Sequence, residues 1–561
     1  MTTRSRRGDA IRTSPWTIKR GDRFAVTASA VAGRSGLFGC PARVSLGARR
    51  IAKSLQPNDA TRWWRTWDPA SRLFFALRDA AETVDEGATI DEAAAADPRL
   101  TTPQLRFARH ALHLLTDLPD AASHSAGRPL EAGPEVELSG DWGTVRASGV
   151  HLASPDGSVR EVCRLRYKAV RGMLDPGHDD FVAVTCWVIA GGRHPHHMRP
   201  PERVRVSEFS LADGTYQVLF DGSADAAKQT YRDRGWPVQD AMADIGLNPG
   251  SQCADCDFLN VCPAVAKIRG ALGLPDRAVA TRAVTAADLA TYDRCPAQFH
   301  VLRRSHLPPA PPDGGPGVGD DQRRERGLVA HAWLRWAHER IPGRACEPDD
   351  LPDPGTKPAE AADLAARLGV PVEAYATARP YLVHHLEHCL LGFGGLQDVR
   401  CEPLHVVYDS DADMVVVTEP DLTARLDAGG VIWRETKTTD RVPADVVDAL
   451  HGHPGFALDV ALLAAGVGGE RDAGGAELEV LSAHQAALYF VPLDDGILVS
   501  TAQRIVAGIG HAMSRDLRFE PRPSGACQFC DAYGWCLPPE VPTTASPEFD
   551  DDEFASMPDP F

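Results

Sequence analysis

The sequence contains no apolar run long enough to cross a bilayer, and its first residues lack the hydrophobic stretch of a signal peptide. These absences predict a cytoplasmic protein. No Walker nucleotide-binding motif occurs, so any ATP-driven step must come from a partner. Cysteine is not scarce: the chain has 13 in 561 residues, and in the cytoplasm so many thiols indicate metal ligation rather than disulfide bonds.

An overall positive charge is also lacking, since the formal net charge is −18 at pH 7. The charges are unevenly placed: residues 1–55 carry 12 Lys or Arg and two acids, whereas residues 548–561 carry six acids and no base. Net charge therefore does not exclude a local basic groove. We expect a basic N-terminal extension over 1–23. We also expect a disordered acidic tail over 541–561, because that segment has little to bury.

The stretch 415–440 is typical of a β-hairpin, with an apolar run, an alternating segment, a Gly-Gly turn and a second strand. Residues two apart in a strand share a face, so Glu435 and Lys437 project together, and the turn can bring Asp421 to the same end of the sheet. Two carboxylates can hold a divalent cation, and an ammonium beside them can steady a negative transition state or orient a water. This combination indicates phosphodiester cleavage.

Two parts of the chain share a pattern of cysteines. Each begins with Ala-Val-Thr-Ala and a lone Cys-Pro, and each ends with Cys-x2-Cys-x5-Cys at the same intervals. We therefore predict a tandem repeat, with one copy over 24–275 and the other over 282–540. The cysteines of the pattern are Cys40, Cys253, Cys256 and Cys262 in the first copy, and Cys295, Cys527, Cys530 and Cys536 in the second.

Four cysteines per copy, one upstream and three close together, are typical of a tetrathiolate metal site. Zinc is favoured where two Cys-x2-Cys pairs combine, whereas a one-plus-three grouping fits iron–sulphur ligation better. The residues alone leave both metals open. The other five cysteines fit neither pattern and are interpreted as small buried apolar residues: Cys163, Cys186, Cys346, Cys389 and Cys401.

Residues 282–540 carry, in order, Cys-Pro on a helix, Gly-x3-His, the Asp…Glu-x-Lys hairpin and the terminal Cys-x2-Cys-x5-Cys. This order resembles the PD-(D/E)XK nuclease superfamily, and within it the iron–sulphur-containing RecB/AddB-type exonuclease domain. The resemblance implies an α/β, restriction-endonuclease-like mixed sheet flanked by helices, in two tandem copies that are each closed by a four-cysteine site. It also implies a 4Fe–4S cluster in each copy, held by the eight cysteines named above.

The same resemblance implies a role for each site residue. The ligands of Mg²⁺ or Mn²⁺ would be Asp421, Glu435, the imidazole of His331 and the carbonyl of Thr436. Lys437 would orient the attacking water or offset charge in the transition state. The expected function is that of a metal-dependent DNA nuclease, an exonuclease on single-stranded or duplex ends, in repair, recombination or phage defence. A helicase or a defence complex is the expected partner.

One departure concerns the family's Gln-x3-Tyr helix, which contacts the cleaved strand. The corresponding helix here carries Asp459 and Leu463, while Gln485 and Tyr489 have the right interval but lie on a predicted strand. This departure favours an alternative function, a non-catalytic DNA-binding scaffold subunit with two clusters, which the intact hairpin triad opposes. A zinc-ribbon regulator is a weaker alternative, because nothing resembles a recognition helix.

The first copy departs further from the family. Aligned with the hairpin, Arg164 and Arg166 stand where the second copy has its glutamate and lysine, and His151 or its neighbour stands where it has the first aspartate. No pair of oxygen ligands for magnesium can be built there. Arginines still hold phosphates, so Arg164 and Arg166 are predicted to bind DNA without cutting it.

Overall fold

The computed structural model of the protein describes residues 23–34, 39–49, parts of 73–97, 100–168, 178–194, 196, 199–274, 281–310, 318–340, 343–427, 429–439, 441–468 and 474–536. The predicted acidic tail lies outside these residues, as does nearly all of the predicted basic extension. The chain divides into two compact units, Met1–Ala264 with Arg304–Pro308, and Val265–Arg303 with Pro309–Phe561. Among the helices in the described ranges, none combines the length and apolar character that a membrane span requires.

The described helices of the first unit are α1 (Ala28–Gly33), α2 (Pro41–Ala48), α3 (Ile90–Ala95), α4 (Thr102–Thr116), α5 (Leu118–Ala126), α6 (Asp180–Gly191), α7 (Ala224–Asp233) and α8 (Pro237–Ala243). Short 3-10 helices cover Ser251–Asp255 and Leu259–Val261. The strands are β1 (Phe24–Thr27), β2 (Glu131–Ala132), β3 (Glu137–Gly140), β4 (Gly143–Arg146), β5 (Val150–Ala153), β6 (Val159–Arg166), β7 (Arg203–Ser210) and β8 (Tyr216–Ser223).

These strands form two sheets. The larger has the order β2-β5-β6-β7-β8, in which only β6 and β7 are parallel. The smaller has the order β1-β4-β3, with β1 parallel to β4. Helix α6 is apolar along almost its whole length, and it buries Phe181 and Val184 in one core with Val162 of β6 and Val206 of β7.

The described helices of the second unit are α9 (Ala286–Arg294), α10 (Pro296–Gln298), α11 (Val318–Arg340), α12 (Pro358–Leu368), α13 (Val372–His388), α14 (Val446–Gly452), α15 (Pro454–Ala464), α16 (Gly496–Arg515) and α17 (Tyr533–Cys536). A π-helix covers Phe299–Arg304, and 3-10 helices cover Pro348–Asp350, Leu390–Phe393 and Gly525–Phe529. The strands are β9 (Ala266–Ile268), β10 (Ala283–Thr285), β11 (Leu396–Cys401), β12 (His405–Asp409), β13 (Met414–Thr418), β14 (Leu422–Leu426), β15 (Val431–Thr438), β16 (Gly474–Leu481) and β17 (Ala486–Pro492).

The second unit also has two mixed sheets. The larger has the order β11-β14-β15-β16-β17, with only β15 and β16 parallel, and the smaller has the order β10-β13-β12-β9. Strand β10 is parallel to β13, and β12 is antiparallel to β13. The larger sheets of the two units therefore have the same strand order and the same strand directions. In the smaller sheets, β4 and β13 each lie between one parallel and one antiparallel neighbour.

The predicted hairpin is confirmed. Strands β14 and β15 pair antiparallel, with Leu422 opposite Arg434 and Arg425 opposite Val431. The preceding apolar run forms β13, which joins the smaller sheet. Beyond the hairpin, Gly474 opens β16 at a φ of +97°, and a Cβ there would lie 1.9 Å from the Val431 carbonyl oxygen, so only glycine fits this close approach.

Helices cover both faces of the larger sheet of the second unit. Ala476, Leu478 and Val480 of β16 face a core that contains the apolar helix α15 and part of α16. Leu481 points the other way, into a second core built on α11, α12 and α13. Since alternate residues of a strand face opposite sides, β15 also presents one set of side chains to α15 and the other to the helical group.

The capping box predicted for Thr285 and Asp288 is confirmed. Thr285 and Asp288 form a reciprocal capping box at the start of α9, with N–O distances of 2.9 and 3.0 Å. Cys40 and Cys295 each occupy the N-cap of the next helix, with proline at the first helical position. Proline is favoured there because it needs no hydrogen-bond acceptor.

Candidate active site

Four side chains that the sequence singles out lie together at the end of the hairpin in the second unit. Asp421 immediately precedes β14, Glu435 and Lys437 lie on β15, and His331 comes from α11. All four are largely buried: their side chains are 13%, 15%, 16% and 29% exposed, respectively. The predicted Gly-x3-His helix is therefore present, and it brings its histidine to the hairpin.

Asp421 is held from two directions. Its Oδ2 accepts a hydrogen bond from the backbone N–H of Thr436 at 2.6 Å, and its Oδ1 lies 2.9 Å from His331 Nδ1. Burial opposes the charged carboxylate, but the imidazole and the amide outweigh it, and the pKa of Asp421 is lowered. In return, the charge of Asp421 raises the pKa of His331.

The backbone of Thr436 points at the same place. In a strand, the N–H and the C=O of one residue project to the same side. The Thr436 carbonyl, which is predicted to bind the metal, therefore projects toward the side on which Asp421 lies. The Thr436 hydroxyl points to the opposite face of the sheet, where it donates to Glu479 at 3.1 Å. Thr436 is therefore held by two hydrogen bonds, one from its backbone N–H to Asp421 and one from its hydroxyl to Glu479.

Glu435 and Lys437 form a close ion pair, with Nζ 2.6 Å from Oε1. Burial and the negative charge of Asp421 raise the pKa of Glu435, although the ammonium of Lys437 works against this rise. The site therefore holds two carboxylates in a low-dielectric recess with one ammonium next to them. Such a recess favours a divalent cation, which relieves the repulsion between the carboxylates.

Two further carboxyl groups belong to the site. Glu402 follows β11, and one of its oxygens lies within 4.8 Å of a ligand atom of His331 and of Asp421, so these three residues can share one cation. Glu402 also pairs with Arg335 of α11. Sequence reasoning missed it, because nothing in its neighbourhood departs from an ordinary exposed loop.

Asp459 is the second addition. It lies on α15, is 2% exposed, and accepts a hydrogen bond from the Thr418 hydroxyl at 2.7 Å. Burial, followed by the charges of Glu435 and Asp421, raises the pKa of Asp459 well above its ordinary value. The sequence placed Asp459 on the helix that carries Gln-x3-Tyr in the family, and the helix is confirmed. Tyr489 lies in β17, as predicted, and its hydroxyl contacts the Pro443 carbonyl, whereas Gln485 lies immediately before that strand.

The four cysteines of the second unit lie near one another. Cys527 lies in a 3-10 helix, Cys530 caps it, Cys536 ends α17, and Cys295 caps α10. Burial and the neighbouring thiols of Cys295, Cys527 and Cys536 raise the pKa of Cys530 to about 12. The N–H of Ser524 points at the sulfur of Cys527 at 3.4 Å.

The first unit repeats this arrangement. Its four cysteines line a single pocket, together with Arg43 and Phe258. Cys253 lies in a 3-10 helix, Cys256 caps it, and the N–H of Gly250 points at the Cys253 sulfur at 3.5 Å.

The two arginines predicted to bind DNA lie on β6 of the first unit. Arg164 points at α6, with its guanidinium 4.5 Å from the centre of the Phe181 ring, and it pairs with Glu208 at 2.9 Å and Asp179 at 3.0 Å. Its side chain is 20% exposed. Arg166 is 46% exposed and lies 3.8 Å from Glu208. Most of the charge of Arg164 is thus neutralised within its own unit.

No curated protein matches the chain. Residues 283–537, a range that spans the hairpin, His331 and the four cysteines of the second unit, match the family model of the PD-(D/E)XK nuclease superfamily.

Proposed function

We propose that the second unit is a metal-dependent DNA nuclease, an exonuclease of the RecB-like type. The observation that best supports this function is that Asp421, Glu435 and Lys437 lie together on one hairpin, within the range that matches the PD-(D/E)XK superfamily. Nucleases of that superfamily use divalent metals, and ligand atoms of His331, Glu402 and Asp421 lie close enough together to share one. Repair, recombination or phage defence is the proposed setting, with a helicase or a defence complex as partner.

The residues would divide the work as follows. Asp421, Glu435 and His331, with the Thr436 carbonyl, hold Mg²⁺ or Mn²⁺, and Glu402 is a further candidate ligand. The bound cation would polarise the phosphate and lower the pKa of a water. The Nζ of Lys437 lies 2.6 Å from Oε1 of Glu435. From this position Lys437 would orient that water or stabilise the charge that develops on the phosphate. Asp459 accepts a hydrogen bond from the Thr418 hydroxyl and so holds Thr418 in place beside the site.

We further propose that each four-cysteine group holds a 4Fe–4S cluster. The cysteines of each unit converge from a helix N-cap and from a 3-10 segment, so a bound cluster would fasten the start of the unit to its end. The grouping of one upstream cysteine with three close together supports a cluster over zinc. We also propose that the two units are tandem copies, supported by their common strand order.

The first unit would bind DNA without cutting it. It has arginines where the second has Glu435 and Lys437, and of the two, Arg166 is the more available to a phosphate. This half of the proposal assigns the catalytic step to the second unit alone.

The test is cleavage of end-labelled single-stranded and duplex DNA by the anaerobically purified full chain, with Mg²⁺ or Mn²⁺. Asp421→Asn should lower the rate by about 10²-fold or more, because a preorganised charged group is lost. Asp427→Asn is the matched control: it makes the same change at an exposed residue after the same strand, and it should leave the rate unaltered. DNA binding in EDTA should be equal for all three proteins.

Full cleavage by Asp421→Asn would place the active site elsewhere. A wild-type protein that binds DNA but cuts neither substrate with either metal, alone or with a helicase present, would instead favour the non-catalytic scaffold.

A further inference from the structure

A second set of metal-ligand side chains lies in the helical group of the second unit, apart from the hairpin and from the cluster cysteines. It comprises two histidines and two cysteines, all buried: His338, Cys346, His385 and Cys389. One ligand atom from each lies within 4.8 Å of the ligand atoms of the other three. From the sequence, the two cysteines were interpreted as small apolar residues.

The distances suit a single tetrahedral ion. The sulfur of Cys389 lies 3.6 Å from Nε2 of His338. With Zn–S of about 2.3 Å and Zn–N of about 2.0–2.1 Å, a tetrahedral angle separates sulfur from nitrogen by about 3.6 Å. The N–H of Cys346 donates to the Cys389 sulfur at 3.4 Å, an interaction that stabilises a thiolate.

His385 provides an independent observation. Its side chain is only 1% exposed, and its Nδ1 lies 2.8 and 2.9 Å from the two carboxylate oxygens of Glu479. Since a carboxylate accepts hydrogen bonds, Nδ1 carries a proton, and in the neutral imidazole, the form that binds a metal, Nε2 presents a lone pair to the group. That Nε2 is buried and has no hydrogen-bond partner. A carboxylate that orients a histidine whose other nitrogen is open is the arrangement found behind metal-bound histidines.

We propose that His338, Cys346, His385 and Cys389 form a structural zinc site. Two thiolates and two imidazoles in a tetrahedron select zinc over magnesium or calcium, and two thiolates neutralise the ion in an apolar surrounding. The site has four protein ligands and is buried, so it has no open position for catalysis.

The site would join two parts of the chain that are distant in sequence. His338 lies near the end of α11, Cys346 lies in the connection after it, and His385 and Cys389 lie at the end of α13. Glu479, which orients His385, also accepts from the Thr436 hydroxyl of β15. A zinc ion here would fasten α11 and α13 to each other and, through Glu479, to the strand that carries the hairpin residues.

The test measures zinc and iron per chain in the purified full-length protein and in matched variants. His385→Ala and the double variant Cys346→Ser/Cys389→Ser should each contain one zinc fewer per chain than the wild type, with iron unchanged. His384→Ala and Cys401→Ser are the controls, since they remove a neighbouring histidine and a half-buried cysteine that lie outside the group, and they should retain that zinc. The conservative variant His385→Cys keeps a ligand in place and should also retain it.

A measurement on the unaltered protein covers the case in which the variants fail to fold. Zinc-edge X-ray absorption should show sulfur at about 2.3 Å and nitrogen at about 2.0–2.1 Å. A zinc spectrum without nitrogen, equal zinc in wild type and the His385→Ala variant, or a Cys346–Cys389 disulfide in unreduced peptide maps would each overturn the proposal. The zinc content of Asp421→Asn should equal that of the wild type, so failure of the nuclease proposal and failure of the zinc proposal are separable.

Discussion

Replacing Lys437 by methionine tests the chemistry of the hairpin most directly. Methionine keeps the length of the side chain and removes only the ammonium, which is 2.6 Å from Glu435 in a recess where Lys437 is 16% exposed. Loss of one preorganised electrostatic group at a reacting centre typically lowers kcat by about 10²–10³, or about 2.7–4 kcal/mol. We expect a loss of that size for Lys437→Met, with DNA affinity within about threefold of wild type, because phosphate contacts elsewhere supply most of the binding.

A magnesium titration separates this role from that of a metal ligand. Glu435→Gln removes a negative charge from the site and should raise the magnesium concentration needed for half-maximal rate. Lys437→Met removes a positive charge that repels the cation, so its half-maximal concentration should stay the same or fall. Arg441→Met, an equal change at an exposed residue shortly after β15, is the control and should keep the wild-type rate.

The assay is the single-turnover cleavage rate at saturating DNA over a range of magnesium concentrations. The proposed roles are wrong if Lys437→Met retains more than about a tenth of the wild-type rate, given the size of the expected effect. They are equally wrong if both variants need more magnesium than the wild type.

Three further outcomes follow from the structure. Cys295→Ala should lower the iron content by about one cluster per chain and make the second unit more sensitive to limited proteolysis. Cys401→Ala should do neither. Zinc without iron at these thiols would refute the cluster. Asp459→Asn keeps an oxygen that can accept from the Thr418 hydroxyl and should change the unfolding free energy by less than about 1 kcal/mol, while Asp459→Leu strands that hydroxyl and should cost about 1–3 kcal/mol in urea unfolding. Arg166→Ala should weaken DNA binding and reduce its salt dependence by about one phosphate contact without changing the cleavage rate, measured as affinity against salt concentration.

The hairpin could be predicted because its information is local. Alternation along β14 and β15 defines the strands, the glycines define the turn, and a two-residue spacing puts Glu435 and Lys437 on one face. Asp421 then needs only the correct register to reach the N–H of Thr436. His331 is different: a lone histidine on a helix has no local signature, and only the resemblance to a known family singled it out.

The buried His₂Cys₂ group could not be predicted because its information is spread over the chain. His338 and Cys346 are separated from His385 and Cys389 by the whole of α12 and most of α13. Each residue taken singly is an ordinary buried side chain. The one local signal is His385-x3-Cys389, a spacing that puts both side chains on the same face at the end of a helix. Packing of α11 near α13 supplies the other half of the group.

The first unit shows why residue type alone is a poor guide to DNA contacts. Arg164 faces α6 as Glu435 faces α15, which supports the alignment that pairs these two positions. The two arginines on β6 are matched by the two carboxylates of Glu208 and Asp179, so this group as a whole carries no net charge. A phosphate could bind Arg164 only by displacing Glu208 and Asp179, whose side chains are 7% and 17% exposed, respectively. Because these carboxylates are buried, the loss of their ionic partner would be costly. Arg166 reaches solvent and has only a long contact to Glu208, so the phosphate binding proposed for the first unit depends mainly on that one side chain.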